Sequence, residues 1–277
     1  MPVSVAAPKL THSRATVADG RTFHIVVTGE GGPKIVFLHG YIDSWRSFER
    51  MFPHLAQNFT LVAIDQRGHG DSDAADTYAI ADFVADAVEL LETKAGGPVH
   101  LVGHSLGALI AHRIAAQRPE LLKSIVLIGG AVSSRGNAGL AGLLEGLKDL
   151  PDPVPYAFAY DFQKSTAYQP LEEEVLETYV QESMKVRGLA WREALRGLVE
   201  DPLQPGAAPT LPTLVLWGAH DEVFPRPDQE KLRAWLVEAR YINYDDLGHA
   251  PQWERPERVA RDIAAFVKSV EAAREQR

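Results

Sequence analysis

The stretch VHLVGHSLGALIAHRIA, from Val99 to Ala115, places Ser105 between an apolar run typical of a buried strand and a run with the apolar pattern of a helix. Gly103 and Gly107 stand two positions before and after the serine. In such a G-x-S-x-G turn the serine occupies a sharp strand-to-helix corner, where side chains in place of the glycines would collide with their neighbours. The corner exposes the hydroxyl beside the unpaired N–H groups of the helix N-terminus. The stretch predicts a serine nucleophile; the alternative is a turn serine that caps the helix.

The segments around this turn predict an α/β fold. Short β-branched runs alternate with helical segments, in the order KIVFLHG, SFERMFPHLAQ, FTLVAID, AIADFVADAVELLETK, PVHLVGHS and LLKSIVLIGG. Continuous apolar strands separated by amphipathic helices are typical of a parallel sheet covered on both faces. TLVLWGAHD and ARYINYDD extend the series, and RATVADGRTFHIVVTGE, which alternates around Asp19-Gly20, predicts an antiparallel hairpin that opens the chain. We expect about eight strands in a mostly parallel sheet flanked by helices.

The alternation stops between Ala131 and Pro209. This segment contains helical patterns such as GLAGLLEGLKDL and LEEEVLETYVQESMKV and no strand pattern. Because it is inserted after the sixth strand of a parallel sheet, we expect it to cover the carboxyl ends of the strands, where ligands bind in open α/β sheets. We predict a core domain formed by residues 1–130 and 210–277 and a helical cap, or lid, formed by residues 131–209.

A serine nucleophile needs a base that is itself oriented by a third group. His249, in DDLGHAPQWERPE, follows the last predicted strand and therefore emerges at the sheet edge that carries Ser105. Asp221, in VLWGAHDEVFP, follows the preceding strand at the same edge. Glu222 and Asp245 are the alternative acids, and the segment GAVSSRGN after the sixth strand offers no carboxylate. The sequence predicts a catalytic triad of Ser105, Asp221 and His249.

The chain resembles the α/β-hydrolase fold superfamily from about Thr16 to Val270. The resemblance rests on FLHGYIDSWRSFE, IDQRGHGDSD, GHSLG, GAHDEVFP and LGHAPQWERPE, and on the order serine, aspartate, histidine along the chain. It implies an oxyanion hole formed by the backbone N–H groups of Leu106, directly after the nucleophile, and Tyr41, after the His-Gly pair of the third strand's loop. It also implies that His39 holds this loop by hydrogen bonds.

Aromatic and apolar side chains from the same loops and from the cap are candidates for a substrate pocket, although aromatic residues also serve as core without any ligand. The predicted pocket residues are Ile42, Trp45, His104, Tyr160, Phe162, Trp191 and Phe224.

A serine at this position predicts acyl transfer through an acyl-enzyme, with esters or lactones of small, largely apolar substrates as the expected class. Epoxide hydrolases and haloalkane dehalogenases of the superfamily attack with a carboxylate instead, so their chemistry is disfavoured. The open alternatives are a cofactor-free perhydrolase resembling haloperoxidases, a C–C bond hydrolase, a hydroxynitrile lyase, and a small-ligand receptor on a hydrolase scaffold. The predicted triad chemistry requires no cofactor and no metal.

Composition narrows the partners of the chain. Its 277 residues carry a formal charge of −9 with both signs scattered, which disfavours nucleic acid, and contain no cysteine, which excludes a sulfur nucleophile, disulfides and thiolate metal sites. No signal peptide is evident and no apolar run approaches the ~20 residues that cross a bilayer, so we expect a cytoplasmic protein without a membrane partner. A small molecule is the expected partner, and the sequence carries no signal for an oligomeric state.

Overall fold

The computed structural model describes residues 7–201 and 207–276. Within these ranges eight strands form one sheet, as the sequence predicted. The strands are β1 (Thr11–Thr16), β2 (Thr22–Thr28), β3 (Lys34–Leu38), β4 (Thr60–Ile64), β5 (Val99–His104), β6 (Leu122–Ile128), β7 (Thr213–Gly218) and β8 (Arg240–Tyr244).

The spatial order of the strands is β1-β2-β4-β3-β5-β6-β7-β8. Strand β2 runs antiparallel to both of its neighbours, β1 and β4, and every other pair is parallel. The predicted hairpin and the mostly parallel sheet are therefore confirmed. Because β3, β5, β6, β7 and β8 run in one direction, the loops that follow them emerge at a single edge, which is the edge that carries Ser105.

Helices cover both faces of this sheet. Two 3₁₀ helices occupy Trp45–Met51 and Pro119–Leu121 in the described residues. The α-helices there are α1 (Phe52–Leu55), α2 (Ile80–Lys94), α3 (Leu106–Gln117), α4 (Ala138–Gly146), α5 (Tyr156–Thr166), α6 (Glu173–Met184), α7 (Gly188–Val199), α8 (Arg226–Trp235), α9 (Pro251–Glu254) and α10 (Pro256–Glu275).

The central strands are mostly apolar because each face packs into a different core. In β6, Ile125 and Leu127 join the core that includes α2, α3 and α8, whereas Val126 and Ile128 join the core that includes α1 and α10. Successive side chains of a strand point to opposite faces, so a strand buried on both faces needs apolar residues at nearly every position. This burial holds the strand ends, and the loops that follow them, in fixed positions.

Helices α4 to α7 lie between β6 and β7 in the chain, where the sequence predicted a helical segment. The division at residues 131–209 into core and cap stays a prediction. Positions 1–6, 202–206 and 277, which the predicted boundaries include, lie outside the described residues. No helix in the described part of the chain combines the length and the apolar character needed to span a membrane.

Candidate active site

Ser105 lies at the corner between β5 and α3 with φ 52° and ψ −112°, in a region that L-residues rarely adopt. Two close approaches explain the flanking glycines. A Cβ on Gly103 would stand 2.1 Å from the carbonyl oxygen of Gly107, and a Cβ on Gly107 would stand 2.0 Å from that of Leu38. The Ser105 amide donates to the Ile128 carbonyl at 2.9 Å, which ties the corner to β6. The glycines therefore allow the strained corner to form.

The loops after β7 and β8 bring Asp221 and His249 together. His249 Nδ1 lies 2.9 Å from Asp221 Oδ2, and both residues are buried. The other carboxylate oxygen of Asp221 accepts the backbone N–H groups of Val223 and Phe224, each at 2.8 Å. A carboxylate held in this way accepts the Nδ1 proton, so the lone pair of a neutral imidazole lies on Nε2. The alternative acids Glu222 and Asp245 are exposed, and within the described ranges neither hydrogen-bonds His249.

His104 supports the backbone of the histidine loop. Its Nε2 lies 3.1 Å from the carbonyl oxygen of His249, and its side chain is buried. Burial lowers the pKa of His104, so the ring is neutral near pH 7 and carries its proton on Nε2, facing the carbonyl. The His104 side chain therefore helps to fix the backbone of His249.

A cavity of about 370 Å³ opens onto Ser105 and His249. Of the predicted pocket residues, His104, Phe162 and Phe224 line this cavity, as does Tyr41 of the predicted oxyanion hole. Its apolar walls come from the helices between β6 and β7 and from the loop after β7; they include Leu140, Leu143, Phe162, Leu198, Val223 and Phe224. The volume lies at the lower end of the range for small-molecule sites.

The other four predicted pocket residues lie outside this lining. Trp45 packs against the ring of Phe52, and Ile42 is fully buried in the core. Trp191 is also fully buried, while the Tyr160 hydroxyl donates to Glu173. Residue type indicated burial at these positions, but the side of the element that each side chain occupies depends on packing.

The cavity also contains residues that the sequence analysis did not select. Asp43 and Gln163 are buried polar side chains in its wall, and Trp253 is a buried indole. Asp43 lies in the motif FLHGYIDSWRSFE and Trp253 in LGHAPQWERPE. Because both motifs form loops at the edge that carries Ser105, the sequence contains a signal that these two residues lie near the site. Gln163 lies in α5 among residues of ordinary helical pattern, where no sequence signal marked it.

The loop after β3 lies against the start of α3. Gln66 donates its backbone N–H to His39 Nε2 at 3.0 Å, and His39 Nδ1 lies 2.8 Å from the Gly40 carbonyl, so His39 fixes the loop by hydrogen bonds. Leu106 is the first residue of α3, and its N–H has no partner within the helix. The two backbone groups predicted for the oxyanion hole, Leu106 and Tyr41, thus belong to elements that meet at Gly107.

One group in the described part of the chain has the spacing of a cation site, namely His24, Asp65 and Asp71, with ligand atoms within 4.8 Å of one another. Asp65 is already occupied, since it accepts the N–H groups of Trp45 at 2.7 Å and of Asp71 at 3.0 Å and lies 2.7 Å from His24 Nδ1. These bonds shape the loop after β4, and none of the three residues lines the cavity at Ser105.

A second serine-histidine-acid chain lies away from the cavity. His100 Nδ1 lies 2.7 Å from Ser124 Oγ, and its Nε2 lies 3.1 Å from Glu271 Oε1. Burial lowers the pKa of His100 to about 4, so the ring is neutral and connects the two partners. Ser124 is fully buried in β6 and no substrate can reach it.

Comparisons with known proteins bear on the family and the fold of the chain. Residues 33–256 match the family model of the alpha/beta hydrolase fold. The 2-(acetamidomethylene)succinate hydrolase of Mesorhizobium japonicum is 35% identical over 158 residues, which cover 51% of this chain and 56% of that relative, so little more than half of its length is matched. Lipase 3 of Moraxella sp. is 29% identical over 254 residues, 87% of this chain and 78% of the relative.

Among solved structures, an esterase from Exiguobacterium antarcticum superposes with a TM-score of 0.82 at 21% identity, covering 93% of this chain and 100% of the other. At this identity the likeness concerns the fold. The family match spans most of the chain and includes the turn at Ser105 and the loops of Asp221 and His249. The resemblance predicted from the sequence is therefore confirmed, and the chain belongs to the alpha/beta hydrolase fold family.

Proposed function

We propose that this protein is a serine hydrolase that cleaves carboxylic esters or lactones of small, largely apolar substrates through an acyl-enzyme. The observation that carries the proposal is the hydrogen bond of 2.9 Å between Asp221 and His249 beside the strained Ser105, with the serine and the histidine on one cavity. A serine, a base and an orienting acid in this arrangement are the requirements of nucleophilic acyl transfer.

In the proposed reaction Ser105 Oγ attacks the carbonyl carbon of the substrate while His249 Nε2 accepts the hydroxyl proton. Asp221 accepts the hydrogen bond from Nδ1–H and so stabilises the imidazolium that forms. His249 then donates the proton to the leaving alcohol oxygen as the C–O bond breaks. Water enters, loses a proton to His249 and attacks the acyl carbon. The bond to Ser105 Oγ then breaks, Oγ takes the proton back from His249, and the acid leaves.

The negative charge that develops on the carbonyl oxygen needs donors that are already in place. We assign this role to the backbone N–H groups of Leu106 and Tyr41. Leu106 begins α3, where the helix dipole adds a positive partial charge. Removing one such donor in serine hydrolases lowers kcat by roughly 10²–10³-fold, so this hole supplies a large part of the proposed catalysis.

The substrate class follows from the cavity. Leucine, valine and phenylalanine side chains form much of its wall, and a volume of about 370 Å³ suits a short acyl or aryl group. Helices α4, α5 and α7 supply part of this wall, which supports the proposal that residues 131–209 act as a cap over the site. The activities for which two relatives are named, a lipase and a 2-(acetamidomethylene)succinate hydrolase, fit cleavage at a carbonyl carbon.

The proposal is tested with a fluorophosphonate probe, which phosphonylates an activated serine, and with a panel of p-nitrophenyl esters from acetate to octanoate and small lactones. We expect labelling at Ser105 and turnover that is fastest with short acyl chains. Ser105→Ala is expected to remove both labelling and turnover, and His249→Gln to reduce both by several orders of magnitude.

Other outcomes would identify the alternatives. Halogenation that depends on hydrogen peroxide, without ester turnover, would assign a perhydrolase. Ligand binding with neither labelling nor turnover in the wild-type protein would assign a receptor and would overturn the proposal.

A further inference from the structure

The loop that carries the proposed oxyanion donor contains a strained residue. Ile42 has φ 59°, in the left-handed region, where a β-branched side chain is a true outlier. Such a conformation persists only when the surrounding structure holds it, and residues of this kind cluster at functional sites. Ile42 directly follows Tyr41, so the peptide geometry at Ile42 affects how the Tyr41 backbone is presented to the cavity.

Gln163 of α5 holds Ile42. Its Nε2 donates to the Ile42 carbonyl oxygen at 3.1 Å, and both side chains are almost completely buried. Gln163 also lines the cavity at Ser105, and its Oε1 is buried without a hydrogen-bond partner among the described residues. A buried polar side chain with one bond made and one group unpaired costs stability, which favours a role beyond packing.

A second bond ties the same loop to α7. The Tyr41 hydroxyl donates to the Trp191 carbonyl at 2.6 Å, and the Tyr41 ring contacts Phe162 and Trp191 edge to face, with centroids 5.6 and 5.9 Å apart. Two successive loop residues are thus anchored to two helices of the segment between β6 and β7. The conformation of the loop depends on these helices being docked.

We infer that Gln163 is a positioning residue for the oxyanion hole: by its bond to the Ile42 carbonyl it keeps the Tyr41 N–H aimed at the reacting carbonyl, and so makes oxyanion stabilisation depend on the docked position of α5. The inference rests on the proposed function. It assigns to the inserted helices a part in catalysis in addition to their part in shaping the pocket.

The central test replaces the amide by a side chain of similar length that cannot donate. For Gln163→Met, with p-nitrophenyl butyrate as substrate, we expect kcat to fall about 10- to 100-fold while KM changes less than threefold. The inhibition constant of butylboronic acid, which forms a tetrahedral adduct with a reactive serine, is expected to rise by a similar factor. The matched control is Gln181→Met, an exposed glutamine of α6, which should leave all three quantities within twofold of wild type.

A second variant keeps the inference testable if Gln163→Met does not fold. Gln163→Glu has nearly the same volume and donates to the Ile42 carbonyl only when its carboxyl group is protonated. Burial raises the pKa of a carboxyl group, so protonation is expected within the assay range. We expect the ratio of variant to wild-type kcat to rise about tenfold as the pH falls from 8 to 5.5.

The outcomes separate the two proposals. If wild type neither labels nor turns over esters, the proposed function fails. If wild type is active and Gln163→Met keeps its kcat and boronate affinity, or raises KM alone, or if the Gln163→Glu ratio stays flat with pH, the positioning role is overturned and the function stands.

Discussion

Gly129 lies directly against His249. A Cβ built on Gly129 would stand 2.6 Å from the carbonyl oxygen of His249 and 3.1 Å from its Nδ1, and Gly129 itself has φ 52°. Its N–H donates to the Leu216 carbonyl at 3.0 Å, so the residue continues the link between β6 and β7. The end of β6 thus forms the back wall of the histidine, and the absence of a side chain there leaves room for the imidazole to reach Asp221.

Gly129→Ala is expected to move the imidazole and to weaken its bond to Asp221. A displacement near 1 Å at a catalytic group costs about 10²-fold, so kcat should fall by roughly this factor. The positive φ adds about 1 kcal/mol of backbone strain to the variant. Steady-state kinetics on a p-nitrophenyl ester measure the first effect and urea denaturation the second.

The control is Gly142→Ala in α4, where a Cβ meets no atom within 4 Å beyond its chain neighbours and the backbone of its own helix. It should leave kcat within twofold and stabilise the protein by up to about 1 kcal/mol, because alanine is the better helix former. Equal activity of Gly129→Ala and wild type would show that the contact does not fix His249.

The chain formed by Ser124, His100 and Glu271 supplies a second prediction. Its donor-acceptor pattern resembles that of a triad, but Ser124 is fully buried. Ser124→Ala should keep kcat and fluorophosphonate labelling within twofold of wild type. It should lower the free energy of unfolding by about 1–3 kcal/mol, because one nitrogen of His100 loses its buried partner. Labelling of Ser124, detected by peptide mass spectrometry, would contradict this assignment.

The difference between the two serines shows what the sequence could predict. Ser105 stands in a local pattern of strand, glycines and helix, and local patterns are legible because a few adjacent residues determine the turn. Asp221 and His249 could be placed as well, since parallel strands deliver the residues that follow them to one edge. That topology brings the two residues to one edge, whereas the choice of Asp221 over Glu222 and Asp245 rests on the bond itself.

Contacts between distant segments were not predictable. Gln163 and Ile42 are 121 positions apart and meet only because α5 docks on the loop after β3. Helical periodicity indicates which face of a helix is buried but not which neighbour covers it. Residue type alone places Trp45 and Trp191 in the predicted pocket, whereas both are buried outside its lining.

Glu254 supports a third prediction, since it joins the histidine loop to the inserted segment. Its Oε1 accepts the Gly248 N–H at 2.8 Å and its Oε2 accepts the Gln169 N–H at 2.7 Å. Burial raises the pKa of Glu254, although the backbone donors oppose this shift. In Glu254→Gln an NH₂ group faces one of these N–H donors, so we expect the free energy of unfolding to fall by about 1–3 kcal/mol. We also expect kcat to fall about tenfold, because Gly248, the residue next to His249, moves.

Glu257→Gln is the matched control, because Glu257 is exposed in the first turn of α10. Its effect on stability should stay below about 1 kcal/mol, and kcat should not change. The same kcat in Glu254→Gln as in wild type would mean that the loop keeps its geometry without the carboxylate.

Among the buried histidines, His69, His100 and His112 lead to a prediction about pH. Burial lowers the pKa of His69 and His112 to about 3 and that of His100 to about 4, from an ordinary value of 6.5. Below pH 6.5 the unfolded chain therefore binds protons that the folded protein does not, and each histidine removes stability as the pH falls. Above pH 6.5 no stability is lost in this way. Between pH 6.5 and the folded-state pKa of each histidine, the free energy of unfolding falls as the pH falls.

Well inside this window each histidine costs about 1.4 kcal/mol per pH unit, or about 4 kcal/mol for the three, which is large against a usual stability of about 5–15 kcal/mol. The raised pKa of Glu254 acts in the opposite direction but is a single group. Urea denaturation at pH 7.5, 6 and 5 should show stability falling steeply towards pH 5. In His112→Gln the slope between pH 6 and 5 should be smaller by about 1 kcal/mol per unit, because one of these neutral rings is gone. A slope equal to that of wild type would mean that His112 binds its proton as readily in the folded protein as in the unfolded chain.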